Sequence, residues 1–155
     1  MHEQAMRRAI ELSEKNMLSN QSGPFGAVIV KNGKIVAEGW NKVTSSNDPT
    51  AHAEVVAIRN ACEKLNDFEL KDCEIYTSCE PCPMCLSAIY WARLSKIYYA
   101  NSRQDAADIK FDDEFLYREI NVPFKDRKIP VKQLLRDEAL LVFKKWQEKE
   151  DKIPY

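Results

Sequence analysis

The sequence predicts an α/β protein: a three-layer α/β/α sandwich around a central five-stranded mixed sheet. Three observations carry this expectation. Short runs rich in β-branched residues alternate with longer segments of helical periodicity along the 155 residues. The pair Asn32-Gly33 sits between the first two such runs and marks a hairpin. Metal-binding residue types gather where two helices should begin, beside strand ends, which is where open α/β sheets form their sites.

Each element has its own signal. Ala5, Met6, Ala9, Ile10, Leu12, Met17 and Leu18 recur among charges, so residues 3–18 read as an amphipathic helix. The polar loop from Ser19 to Pro24 follows. Phe25 to Val30 and Ile35 to Trp40 read as strands on either side of Lys31-Asn32-Gly33-Lys34. Asn41 to Thr50 is a polar loop, and the apolar run Ala53, Val55, Val56, Ala57, Ile58 starts a helix near Ala51 that ends near Leu65. Cys73 to Thr77 is the third strand, a helix runs from near Cys82 to about Ala92, and Lys96 to Ala100 is the fourth strand. Residues 105–121 are helical with a break near Lys110-Phe111. Pro123 and Pro130 mark loops, and Val131 to Leu135 is expected to supply the fifth strand. Asp137 is expected to cap a last helix reaching Glu150, with Leu140, Leu141, Phe143 and Trp146 on its buried side. No repeat or linker interrupts the chain, so residues 1–155 are expected to form one domain.

Composition narrows the function. Hydrophobic residues make up 45% and charged residues 30%, an ordinary balance for a globular protein. Net charge is −1 and the isoelectric point about 6.2, which argues against a polynucleotide partner held by counterion release. No apolar run is long enough to cross a bilayer. Met1-His2-Glu3-Gln4 carries no signal-peptide pattern. The five cysteines are an odd number, with three in one segment. That favours metal chemistry in a reducing cytoplasm over a disulfide framework, with Cys62 and Cys73 as packed thiols.

The segment with the most chemistry is Cys79-Glu80-Pro81-Cys82-Pro83-Met84-Cys85. Pro81 keeps Glu80 out of helical geometry, and Pro83 suits a first helical turn. Cys82 and Cys85 then share one face at a helix N-terminus, where the dipole favours thiolates. An open zinc site takes three protein ligands and one water, and His52 at the start of the upstream helix is the best third ligand. Such a site lowers the pKa of its water to about 7. Glu54 is then surplus to the ligand set and suits a proton shuttle. Two other readings stand beside this one. Cys82-x-x-Cys85 alone resembles a redox pair, though such a pair has no use for His52-Ala53-Glu54. Cys79 could be a fourth ligand and seal the ion, although Pro81 places it ahead of the helix.

His-Ala-Glu followed by Pro-Cys-x-x-Cys resembles the signature of the zinc-dependent nucleobase deaminases, whose fold is cytidine deaminase-like. Across nearly the full length the chain is similar to the bacterial guanine deaminases. Gly23 to Val30, Thr44 to Thr50, Tyr76 to Cys85, Ala88 to Arg93, Phe111-Asp112-Asp113-Glu114-Phe115 and the terminal Tyr155 carry that similarity, which weakens over 123–152. The resemblance implies one Zn²⁺ per subunit and hydrolysis of the guanine 2-amino group to give xanthine and ammonia in purine catabolism. It implies that Glu54 protonates ring N3 and that Asp113 carries a proton to the leaving amine. It also implies a cytoplasmic homodimer that exchanges a C-terminal segment, about residues 137–155, with Tyr155 over the partner's pocket. Phe25 and Trp91 would wall the purine, Asn41 would bond its edge, and the Ala53 N–H would bond a ring or carbonyl group. A tRNA adenosine deaminase or a nucleoside deaminase remains the alternative within the superfamily. Asp112 and Asp113 also read as a helix N-terminal pair, and Asn41 as a residue bonding its own loop.

Overall fold

The hairpin forms where the Asn-Gly pair places it. In the computed structural model, which describes residues 1–155, Asn32 and Gly33 adopt φ of 49° and 75°. That is the left-handed backbone a two-residue hairpin turn requires. It joins β1 (Gly26–Lys31) to β2 (Lys34–Trp40) in antiparallel register, with an irregularity between Ile29 and Val30. The N-terminal helix α1 spans His2–Leu18, a short α2 spans Val43–Ser46, and α3 spans Ala53–Leu65. Then come β3 (Cys73–Cys79), α4 (Pro83–Trp91), β4 (Lys96–Asn101) and α5 (Arg103–Asp108). The chain divides into two compact units, Met1–Phe115 and Leu116–Tyr155.

In the first unit the sheet order is β2-β1-β3-β4. β1 pairs antiparallel with β2 and β3, and β3 pairs parallel with β4 through the crossover of α4. Side chains alternate across a strand, so β1 supplies two cores. Ala27 and Ile29 pack in one cluster with Ala53, Ala57 and Ala61 of α3. Val28 and Val30 pack in the other with Ala5, Ala9 and Leu12 of α1. Helices therefore cover both faces of the mixed sheet, as expected.

The small residues set how closely α3 lies on the hairpin. A Cβ on Gly39 would stand 2.3 Å from the Ala53 carbonyl oxygen and 2.5 Å from the Ala57 nitrogen. Those backbone atoms cannot swing aside. Gly39→Ala is therefore expected to destabilise the fold by about 3 kcal/mol, the upper end for overpacking. The urea midpoint measures this, and an unchanged midpoint would mean that α3 can slide.

His2 is anchored. Tyr76 donates its hydroxyl proton to Glu74 at 2.8 Å, leaving its oxygen to accept from His2 Nδ1 at 2.5 Å. The Tyr76 and Tyr98 rings stack at 4.5 Å beside it.

Two expectations fail in the C-terminal part. The sheet has four strands, not five. Val131 to Leu135 is irregular, and Leu135 adopts φ of 51°, which no strand accommodates. The last helix, α7 (Arg136–Glu148), follows α6 (Glu114–Asn121) and a 3₁₀ turn at Phe124–Asp126. Leu135, not Asp137, occupies its N-cap, and the helix buries no residue. Leu141, Phe143 and Trp146 are 56%, 69% and 46% exposed, and Leu140 is only half-buried. Their periodicity does form a helix, but the second unit holds no element that covers the apolar face. Within that unit, Arg127 lies over the Phe124 ring and donates to the Ile120 and Val122 carbonyls.

Candidate active site

Two helix N-termini build the centre. His52 is the N-cap of α3 with extended backbone, and Cys82 is the N-cap of α4 with Pro83 in the first helical position. This is the geometry that Pro81 and Pro83 favour. Cys85 follows one turn later and is fully buried. The ligand atoms of His52, Cys82 and Cys85 all lie within 4.8 Å of one another. His52 Nδ1 is 3.6 Å from Cys82 Sγ and 3.4 Å from Cys85 Sγ. One imidazole nitrogen and two sulfurs at this spacing fit a zinc ion with an open fourth position. Cys79 is not in this group. Its thiol donates to the Ser102 carbonyl at 3.6 Å, and burial holds its pKa at about 11.

The protonation pattern suits metal capture. The neighbouring Cys85 and His52 lower the Cys82 pKa to about 4. Proximity to Cys82, together with burial, pushes Cys85 up. His52 is raised by its bond to Cys82. Burial also raises Glu54, which is 6% exposed.

Glu54 lies in the first turn of α3 beside this cluster. Its Oε2 is 3.4 Å from Cys85 Sγ, and its Oε1 is 3.1 Å from the Thr77 hydroxyl. Thr77 escaped the sequence reading. The available signal was the alternating row Cys73, Ile75, Thr77, Cys79, in which one polar residue points to an otherwise apolar face.

Asp112 and Asp113 differ in their surroundings. Asp112 Oδ1 accepts the Glu114 N–H at 2.9 Å and so serves the start of α6. Asp113 is half-buried, and its pKa is raised by desolvation and then by the charge of Cys82. The turn at Lys110, with φ of 72°, brings this segment back after α5.

Asn41 is 6% exposed, and its N–H donates to the Phe25 carbonyl at 3.0 Å. Its side-chain oxygen accepts from the Ser22 hydroxyl and from the Val43 N–H. The loop reading of Asn41 is thus half right: the oxygen serves the loop, and these bonds leave the amide nitrogen unused. The next residue, Lys42, bonds the Ala51 carbonyl at 2.9 Å, which ties this loop to the residue before His52. Ala53 is fully buried at the start of α3. Phe25 packs edge-on against Phe111 with centroids 5.0 Å apart. Trp91 ends α4, roughly 13.5 Å along the axis from Cys82 at 1.5 Å per residue, and is 62% exposed. Tyr155 belongs to the second unit and is 76% exposed.

An α/β sheet with a His-Cys-Cys cluster at two helix N-termini and an unligated glutamate beside it defines a zinc-dependent deaminase. The model of the cytidine and deoxycytidylate deaminase zinc-binding region matches residues 1–101, and the chain belongs to that family. Guanine deaminase of Bacillus subtilis (strain 168) is 53% identical over 154 residues, which cover 99% of each chain. The X-ray structure of guanine deaminase from Bacillus subtilis superposes with a TM-score of 0.97 at 52% identity, covering 100% of this chain and 99% of that one. A tRNA-specific adenosine deaminase of Aquifex aeolicus (strain VF5) is 42% identical over 96 residues, covering 62% of this chain and 60% of that protein.

Proposed function

We propose that this protein hydrolyses guanine to xanthine and ammonia. The observation that carries the chemistry is Glu54: a buried carboxyl beside three metal-ligand atoms but outside the ligand set. The full-length likeness to a guanine deaminase, against partial likeness to tRNA deaminases, supports the choice of substrate. His52, Cys82 and Cys85 would hold one zinc per subunit, which would supply Lewis-acid activation of water. Glu54 takes a proton from the attacking water and delivers it to ring N3. Asp113 passes the remaining hydroxyl proton to the departing amine, which leaves as ammonia; desolvation and then the charge of Cys82 raise the Asp113 pKa and favour the protonated form this needs. Asn41 presents its amide NH₂ as a donor to an acceptor atom on the purine, since its oxygen is committed to Ser22 and Val43. Phe25 and Trp91 wall the purine, and the Ala53 N–H bonds its polar edge.

The substrate is a small purine in the cytoplasm. No helix is long and apolar enough to cross a membrane. The uncovered apolar face of α7 supports a homodimer in which residues 137–155 are exchanged and Tyr155 closes the partner's pocket. Analytical ultracentrifugation of the full chain checks this: a monomer at assay concentration would remove the exchange.

Incubating the zinc-loaded protein with guanine, guanosine, adenine, cytosine and an anticodon stem-loop tests the reading. Ammonia from guanine alone is the expected result, and turnover of the stem-loop alone would replace it. Asp113→Ala is expected to lower kcat about 100-fold, the scale of a lost general acid, with zinc content unchanged. A normal kcat would reduce Asp113 to a partner of the α6 terminus.

A further inference from the structure

We propose that Thr77 is a positioning residue for the proton shuttle: its hydroxyl fixes the Glu54 carboxyl in the orientation from which it works. This rests on the reading of Glu54 as the proton carrier.

Thr77 sits on β3, one of the two strands with neighbours on both sides. Its backbone is opposite Ala27 of β1 and Tyr99 of β4. It is 1% exposed, so its side chain is held by packing as well as by the sheet. Its hydroxyl lies 3.1 Å from Glu54 Oε1 and 3.0 Å from the Cys79 carbonyl oxygen. Both contacts are within hydrogen-bond length, yet a hydroxyl has one proton. That proton can point to Glu54 Oε1 or to the Cys79 carbonyl oxygen without moving either backbone.

The second side-chain contact of Glu54 does not offer this. Cys85 approaches Oε2 at 3.4 Å as a thiol donor. A cysteine that ligates a metal does so as thiolate and has no proton to give. In the zinc-loaded enzyme Thr77 is then the side chain packed against Glu54 that can still bond it. Cys79, the other partner of Thr77, ends β3 three residues before Cys82. The hydroxyl thus ties the Glu54 carboxyl to the strand that leads into the ligand turn. A catalytic group held this way has less misorientation to correct in the transition state.

The test compares Thr77→Val, Thr77→Ala and Thr77→Ser in the full-length, zinc-loaded enzyme. Valine keeps the shape without the hydroxyl, alanine removes the hydroxyl without adding apolar bulk beside Glu54, and serine restores it. Expected is a fall of about 30-fold in kcat for Val and Ala, with KM, zinc content and Tm close to wild type, and recovery to within about threefold for Ser; one positioning contact falls below the 10²–10⁴-fold scale of the acid–base group itself. Should Val fail to fold, the comparison of Ala with Ser decides. Wild-type kcat in Ala, equal losses in Ala and Ser, or losses that follow zinc content or Tm would each overturn the proposal. Crystal structures of the zinc-loaded wild type and Thr77→Ala give an answer that needs no substrate. The Glu54 carboxyl is expected to leave its wild-type orientation in the variant, and an unmoved carboxyl would overturn the assignment. If the wild type fails on guanine, the functional reading falls while the Glu54 orientation still judges Thr77.

Discussion

Glu54→Gln is expected to keep its zinc and lose about 10⁴-fold in kcat, the upper end for general acid–base catalysis. The amide has nearly the same shape, and it can still bond Thr77, so the packing around α3 should not change. What it lacks is the capacity to accept a proton from water and release it to the purine ring. Glu54 lies outside the His52, Cys82 and Cys85 group, so metal content should match wild type. Stability supplies an independent check. Burial raises the Glu54 pKa above its ordinary 4.5. Between that value and the raised one the folded state holds a proton that the unfolded state has lost, so wild-type stability falls as pH rises. Glutamine has no such penalty. In the metal-free proteins the variant should therefore gain on wild type as pH rises above 4.5. Full turnover in the variant would remove Glu54 from the chemistry, and loss of zinc would make it a ligand.

Local rules explain how much of this was visible in the residues alone. The ligand turn was legible because proline constrains its neighbours through sterics: Pro81 and Pro83 set where α4 begins, and the structure starts it at Pro83. The hairpin was legible for the same kind of reason at Asn32-Gly33. Val131 to Leu135 misled because β-branched and aliphatic residues mark apolar contact as much as strand geometry, and the left-handed Leu135 is not a residue type that advertises itself. The apolar stripe of α7 was read correctly as a stripe and wrongly as buried within the chain, since periodicity gives a face and not its partner. Asp112 and Asp113 could not be separated without coordinates. Either carboxyl can reach the next helix N–H, and only the backbone after Lys110 decides that Asp112 does so. Thr77 was hidden because threonine is common in strands, and its meaning comes from Glu54, 23 residues away.

Cys85→Ser should weaken zinc binding about 10³-fold, and turnover at limiting zinc with it, while leaving the apo fold nearly unchanged. Serine is close in size to the fully buried cysteine it replaces, but an alcohol does not become an anion near neutral pH as a thiol does in a metal site. Structural zinc sites bind with about 10–16 kcal/mol, so one lost ligand at roughly 4 kcal/mol weakens zinc about 10³-fold. The pH dependence should change in a defined way. Cys82, held at about 4, is already a thiolate at neutral pH. Cys85 is pushed up by Cys82 and burial and keeps its proton until metal displaces it, and the raised His52 releases a further fraction. Each proton expelled on binding makes affinity about tenfold weaker per unit fall in pH. Zinc should therefore bind more weakly as pH falls from 8 to 6, with a slope of at least one proton in the wild type. In Cys85→Ser the proton from residue 85 is no longer part of the balance, and the slope should drop by about one. Competition with a chromophoric chelator across this range measures both quantities. A variant that kept wild-type affinity and slope would place the ion on a different set of atoms.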